Sequence, residues 1–188
     1  PQNINKRFYG PTPLREALVR SQNLVSVRLL RATGIGPAMR HIAAFGFSPE
    51  APPPNLTFAL GSGQVPPLEM TRGFAVFANG GFLVTPHVIE RVADSEGREV
   101  FTSQAPIACV DCPGTTPAPQ AITAANAFVM TDILTDVIQR GTAQRAKTLG
   151  RSDLAGKTGT TSDRRDAWFV GYNGDVAAAA WIGFDQER

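Results

Sequence analysis

The chain has 188 residues, 43% hydrophobic and 18% charged, with a formal net charge of +2. That length supports one domain with its own core and is short for two, and scattered charge with no basic run argues against nucleic acid as a partner. No apolar stretch reaches the ~20 residues of a membrane span, and no signal peptide leads the sequence, whose start at Pro1 reads as internal to a longer protein.

Thr12-Pro13-Leu14 predicts a helix start, with Thr12 as cap and Pro13 at the first helical position. Leu14, Ala17 and Leu18 mark its apolar face. The pattern breaks at Ser21-Gln22-Asn23, where Asn23 is placed to cap a second helix over Leu24 to Arg31. Gly34 to Pro37 opens a third, with Met39, Ile42 and Ala43 inward. A Pro-rich loop, Ser48 to Pro54, follows. Pro66-Pro67 opens a helix to about Ala78, stopped by Asn79-Gly80-Gly81 because these residues tolerate positive φ.

Phe82 to Thr85 and Val88 to Val92 read as short strands, and Glu99 to Phe101 as another after the turn at Ser95 to Gly97. Residues 102–120 form a loop. Ile122 to Gln139 is the longest predicted helix, with Ile122, Val129, Ile133 and Val137 on one face. Leu154 to Thr161 is strand-like. Ala167 to Tyr172 and Val176 to Gly183 flank Asn173-Gly174, a strong hairpin signal. Trp168, Val170 and Tyr172 share one face of the first strand, and Val176, Ala178, Ala180 and Ile182 share one face of the second. The small Ala177 to Ala180 run suggests helices packing close to the sheet. The class is α/β or α+β, with an antiparallel sheet built late in the chain.

Cys109-Val-Asp-Cys112 holds both cysteines in a loop. A structural pair, a metal ligand pair and a redox pair are all open on spacing alone, but a zinc site needs four ligands, and His41 and His87 are isolated and read as structural or exposed. In an oxidising compartment a local disulfide fits. No cofactor or metal set is visible. Trp168 and Trp181 read as sheet packing.

Two short motifs carry chemistry: Ser21-x-Asn23 at the helix break, and Lys157-Thr158-Gly159-Thr160 on a strand. Alone, the first more commonly marks a helix stop and the second a solvated strand lysine. Together and in this order they match two of the three boxes (Ser-x-x-Lys, Ser-x-Asn, Lys-Thr-Gly) of penicillin-recognising serine enzymes. The flanks agree: Phe8-Tyr-Gly-Pro-Thr-Pro-Leu-Arg-Glu-Ala-Leu18, Gly61-Ser-Gly-Gln-Val-Pro-Pro-Leu-Glu-Met70, Phe77-Ala-Asn-Gly-Gly-Phe82, Asp166-Ala-Trp-Phe-Val-Gly-Tyr172 and Trp181-Ile-Gly-Phe-Asp185. Nearly the whole chain resembles the bifunctional class A penicillin-binding proteins of the 1a type.

The resemblance implies the penicillin-binding-protein and β-lactamase-like transpeptidase fold: an antiparallel sheet flanked by helices, here incomplete at its N-terminal side, with residues 1–188 as the C-terminal part of one transpeptidase domain. It implies acyl transfer between peptidoglycan stem peptides, with β-lactams as mimics of the donor. Lys157 would supply positive charge to the cleft, and the Thr158 and Thr160 hydroxyls would bind the substrate carboxylate. Bare Gly159 would let a substrate strand lie along the edge, and the Thr160 N–H would serve as an oxyanion donor. Ser21 resembles a proton-shuttle serine and Asn23 a residue holding the substrate backbone. Arg164, Arg165 and Asp166 follow in a loop beside the cleft, where substrate contacts and surface ion pairs fit equally well.

No serine here has a lysine three positions later, so the nucleophile box is expected upstream, with a glycosyltransferase domain and membrane anchor beyond it. Implied partners are the stem peptide, β-lactams, the remaining N-terminal part of the same protein, and outer-membrane, divisome or elongasome activators. The implied location is the periplasmic side of the inner membrane. A sheet missing one contributing segment is expected to expose apolar surface. A β-lactamase or D,D-carboxypeptidase relative and a non-catalytic peptidoglycan- or partner-binding module are the alternatives. A β-lactamase needs a deacylating glutamate, and Glu50, Glu69, Glu90, Glu96 and Glu99 lie in no matching context. Without the nucleophile, the 188-residue polypeptide alone is expected to take up no fluorescent penicillin covalently, and a labelled band on a denaturing gel would refute that.

Overall fold

The computed structural model describes residues 2–3, 6–48, 50, 53–161 and 165–184. Helices α1 (Leu14–Val19), α2 (Asn23–Thr33), α3 (Ile35–Ala43) and α4 (Pro67–Ala78) come first. A two-stranded antiparallel ribbon follows, β1 (Arg91–Ala93) with β2 (Glu99–Thr102), and then helix α5 (Ala124–Arg140). Strands β3 (Ala155–Thr160), β4 (Ala167–Tyr172) and β5 (Ala177–Ile182) close the chain as an antiparallel sheet in the order β3-β4-β5.

One face of this sheet meets the helices. Val19, Leu134, Val137, Ile138, Ala143, Ala155 and Tyr172 form the buried cluster, with Phe74 and Phe77 packed against it. Tyr172 stacks near Phe77 at 6.5 Å between ring centroids and shares a hydrogen bond of 2.9 Å with the Thr131 hydroxyl. Burial pushes its phenol up to about 12. The opposite face carries Ala178, Ala180 and Ile182, all exposed, beyond an exposed Val176. The face shared by Val176, Ala178, Ala180 and Ile182 is therefore the outer one, and Ala177, Ala179 and Trp181 are half-buried on the helical side. Exposed apolar side chains also occur away from this face, among them Phe8, Val88 and Phe128.

Several local expectations are corrected. Thr12 does not cap α1: its hydroxyl donates to the Gly10 carbonyl at 3.1 Å, and Pro13 flanks the helix. Leu14 is exposed, while Ala17 and Val19 are the buried residues of α1. Asn23 does not cap α2 but is its first residue. The Leu24 N–H instead donates to the side chain of Asn3 at 3.3 Å, a cap supplied from 21 positions away. In α3, Met39 and Ile42 are half-buried and Ala43 is exposed. Phe82 to Thr85 is not a strand; Phe82 makes one bridge to Gln120, and of Val88 to Val92 only Arg91 and Val92 enter a strand. On α5 the buried stripe is Ala127, Leu134, Val137 and Ile138, and Val129 is exposed. Thr123 caps that helix by accepting from the Asn126 N–H.

The hairpin forms, but with Asn173 at the first turn position. Its side-chain oxygen accepts the N–H groups of Asp175 and Val176 at 3.0 and 2.8 Å, so Gly174 needs no positive φ. Cys109 and Cys112 are joined in a disulfide within the 102–120 loop. His41 packs edge-on against Phe45, and His87 pairs with Glu90 at the surface.

The helix ends that matter for the site are held by charge and by a close backbone approach. Arg15 of α1 pairs with Asp132 and Asp136 of α5, and Arg140 of α5 pairs with Glu16 of α1 and with Asp136. Arg140 and then Arg20 hold the Glu16 carboxyl below its usual range, as Arg140 and then Arg15 do for Asp136. Beyond α5, a Cβ at Gly141 would sit 2.5 Å from the Val19 carbonyl and 2.8 Å from the backbone of Val137. The two segments can approach this closely only because residue 141 has no side chain. Gly141→Ala is expected to destabilise the protein by about 2 kcal/mol, as overpacked backbone contacts do; an unchanged denaturant midpoint would contradict this.

Candidate active site at the edge strand

The stop of α1 builds the first half of the site. The Ser21 N–H donates to the Leu18 carbonyl at 3.1 Å and the Gln22 N–H to the Ala17 carbonyl at 2.8 Å. This is the paired closure in which the residue past the helix end adopts a left-handed conformation, usually as glycine. Here that residue is Ser21, at φ 54°. A left-handed L-residue costs about 1–2 kcal/mol, so a hydroxyl is held where the backbone alone favours glycine. Gln22, 6% exposed, is buried behind it.

The second half is β3, the edge strand beside β4. The Lys157 Nζ donates to the Ser21 Oγ at 2.7 Å and to the Thr158 carbonyl at 2.8 Å. Among the described residues no carboxylate pairs with it. Desolvation brings its ammonium down from the usual lysine range to about 8. The Ser21 oxygen, accepting from lysine, keeps its own proton free for another acceptor. The pair is thus a hydroxyl in contact with a lysine near its titration point, the arrangement that can pass a proton.

The ladder sets the backbone direction along β3. The Thr161 N–H donates to the Asp166 carbonyl at 3.2 Å. In an antiparallel pair such residues alternate with outward-facing ones. In the register Gly159↔Trp168 and Lys157↔Val170, Thr158 and Thr160 therefore turn their N–H groups to the free edge. A Cβ at Gly159 would lie 3.3 Å from that of Trp168, so the missing side chain also serves the cross-strand fit to the indole. Trp168 and Trp181 pair at 6.0 Å between ring centroids, which is sheet packing.

Asp166 is occupied by the scaffold. Its carboxylate accepts from the Trp181 indole at 3.0 Å and from the Thr161 hydroxyl at 3.2 Å, and its N–H donates back to that hydroxyl at 2.8 Å. Arg164 lies outside the described residues, and Arg165 is exposed. Asn23 is not joined to Lys157: its side-chain amide donates to the Gln2 carbonyl at 3.0 Å.

The geometry adds Thr142, whose hydroxyl is 2.6 Å from that of Thr158. No motif flags it. The α1–α5 clamp was partly visible as the Asp132, Asp136 and Arg140 spacing along one helix face. Two concavities lie elsewhere: about 490 Å3 beside Pro11, Leu14 and Arg28, and about 460 Å3 among Phe45, Phe47, Phe74 and Phe77. Neither gathers an acid–base pair. Among the described residues no set of three metal-ligating side chains is gathered, and no helix is long and apolar enough to cross a membrane.

A helical layer on one sheet face, with a lysine-bearing edge strand against a helix-break serine, places the chain in the class of penicillin-recognising transpeptidase folds. It belongs to the penicillin binding protein transpeptidase domain family, matched over residues 1–182. It is 48% identical to penicillin-binding protein 1A of Neisseria flavescens over 188 residues, all of this chain and 23% of that protein. Against penicillin-binding protein 1A of Pseudomonas aeruginosa, identity is 40% over 99% of this chain and 27% of the relative. The chain thus spans about a quarter of these curated relatives. The crystal structure of penicillin-binding protein 1A from Haemophilus influenzae superposes with a TM-score of 0.92 at 32% identity, covering 98% of this chain and 32% of that one. PonA1 of Mycobacterium tuberculosis in complex with penicillin V gives 0.76 at 26% identity, covering 97% of this chain and 50% of that one. The expected fold class and family are borne out.

Because Ser21 occupies a glycine-type position, Ser21→Gly is expected to be at least as stable as the parent in denaturant. A clear loss of stability would show that the hydroxyl supports the fold.

Proposed function

We propose that this chain is the C-terminal part of a serine D,D-transpeptidase domain that cross-links peptidoglycan stem peptides, carried by a bifunctional cell-wall synthase on the periplasmic side of the inner membrane. The supporting observation is the 2.7 Å bond from Lys157 to Ser21, made on the open edge of β3 across 136 residues of sequence.

In this reading the nucleophilic serine and its lysine come from a Ser-x-x-Lys segment outside these 188 residues. The lysine of that segment takes the nucleophile's hydroxyl proton as the serine oxygen attacks the penultimate D-Ala carbonyl; the peptide C–N bond breaks, Ser21 delivers its own proton to the departing D-Ala amine, and the proton held by that lysine replaces it on Ser21. An amine of a neighbouring stem peptide then attacks the ester, forming the cross-link and releasing the serine. Lys157, desolvated and without a carboxylate partner among the described residues, draws the substrate's terminal carboxylate. The Thr158 and Thr160 hydroxyls receive that carboxylate, and the outward Thr160 N–H is one oxyanion donor, a contribution of about 3–4 kcal/mol where such donors have been removed. Gly159 keeps the edge low. Asn23 holds the substrate backbone by exchanging the Gln2 carbonyl for it. β-Lactams acylate the same serine, and activator proteins act through surfaces outside this site.

In the full-length protein, Ser21→Ala and Lys157→Ala are each expected to lower acylation by a β-lactam at least tenfold, about 1.4 kcal/mol. Unchanged rates in both would remove the assignment. A second expectation follows from the titration of Lys157. Its amine, lowered to about 8, is cationic below that pH and neutral above it. The second-order acylation constant, which reports the free protein, should fall as pH rises through about 8. A flat alkaline profile would contradict the role of the charge.

A further inference from the structure

We propose that Thr142 is a positioning residue for recognition of the substrate carboxylate, orienting the Thr158 hydroxyl toward the open edge of β3. This rests on the carboxylate role of Lys157 to Thr160 given above and adds a residue that no motif contains.

The turn after α5 is fixed on both sides of Thr142. The N–H groups of Gly141 and Ala143 both donate to the Val137 carbonyl at 3.1 Å. Gly141 is pressed against the Val19 carbonyl with no room for a Cβ, and Ala143 is 5% exposed within the core cluster. Between these pinned neighbours the Thr142 backbone has little freedom, while its side chain stands exposed beside β3. Its Oγ lies 2.6 Å from the Thr158 Oγ.

Each hydroxyl has one proton and two lone pairs. One of the two must donate and the other accept. When Thr142 donates, the Thr158 proton is released to point elsewhere; when Thr158 donates, that proton is consumed. An anion at the strand edge selects the first arrangement, because a charged acceptor binds a hydroxyl donor more strongly than a neutral one does. The result is a directional chain, Thr142 to Thr158 to carboxylate, in which each bond polarises the next. The Lys157 ammonium, bonded to the Thr158 carbonyl at 2.8 Å, and the outward Thr158 N–H bring two more donors to the same residue. A neutral ligand at this edge gains little from the arrangement.

The test uses the full-length protein and two probes, a β-lactam with its free carboxylate and the methyl ester of the same compound. Thr142→Val removes the hydroxyl at nearly constant shape; Thr142→Ser keeps it. We expect Thr142→Val to slow acylation by the acid about three- to tenfold and by the ester less than about twofold, with Thr142→Ser close to the parent on both. An equal loss on acid and ester would mark Thr142 as merely structural, and no loss on the acid would show that it orients nothing; either result overturns the proposal. Failure of the underlying reading looks different: the unmodified protein would then acylate with acid and ester at equal rates.

Discussion

The bond between Lys157 and Ser21 joins the last third of the chain to its first helical hairpin, and the surrounding structure can be understood as what holds its two ends in register. On one side the serine is carried at the end of a six-residue helix that would be marginal in isolation. That helix is tied to α5 by Arg15, Glu16, Asp132, Asp136 and Arg140, and the carbonyl of its last residue, Val19, lies against Gly141. On the other side the lysine is carried by a strand whose inner neighbours, Ala155 and Val170, are buried. Two features work against local stability at this junction: a left-handed serine and a desolvated ammonium with no carboxylate partner among the described residues. Such features persist where the surrounding packing over-determines them, and they concentrate at functional sites.

The edge strand has a second constraint. Its outer N–H groups are useful to a ligand only if the strand does not twist away or pair elsewhere. The Asp166 carboxylate, bonded to Thr161 and Trp181, locks the far end of the β3–β4 pair, and the indole pair at Trp168 and Trp181 continues that lock across the sheet. The acidic residue in the loop after the Lys-Thr-Gly box is therefore engaged by Thr161 and by Trp181 of β5. The helical face of the sheet is packed with aromatic side chains, and the outer face of β5 leaves alanines and Ile182 exposed. The open edge of β3 lies between these two environments and presents backbone and hydroxyl groups apart from the core side chains.

The long helix, the proline-initiated α4, β2 and the three-stranded sheet were legible because each has a strong local signal. α5 runs on period 3.6, although it starts at Ala124 behind a Thr123 cap and leaves Ile122, the expected first residue, outside; α4 has proline in its first turn, and β4 and β5 flank a turn built on Asn173. The failures were failures of competition. Thr12 and Asn23 are good caps in isolation, but the one turns its hydroxyl to Gly10 and the other's amide goes to Gln2, while Asn3 supplies the cap to α2. Val129 fits the α5 stripe by spacing, yet the side that meets the core is set by where α1 and β3 sit, and it runs through Leu134 and Ile138. Phe82 to Thr85 has strand-like residues but no partner strand beyond a single bridge to Gln120.

By itself the sequence determined the family, the order of the main elements and the two motifs, because these are encoded in residue identity and short spacings. It contained the lysine and the serine but not their contact, since they stand 136 positions apart and no local rule spans that distance. Tertiary structure alone decided that Ser21 would be left-handed, that Asn23 would face the N-terminal segment, and that Gly141 would allow two helix ends to touch. It also decided that Thr142 would meet Thr158. The reason is physical: hydrogen-bond partners and burial are shared among segments, and the partner that prevails is settled only when all of them are packed at once.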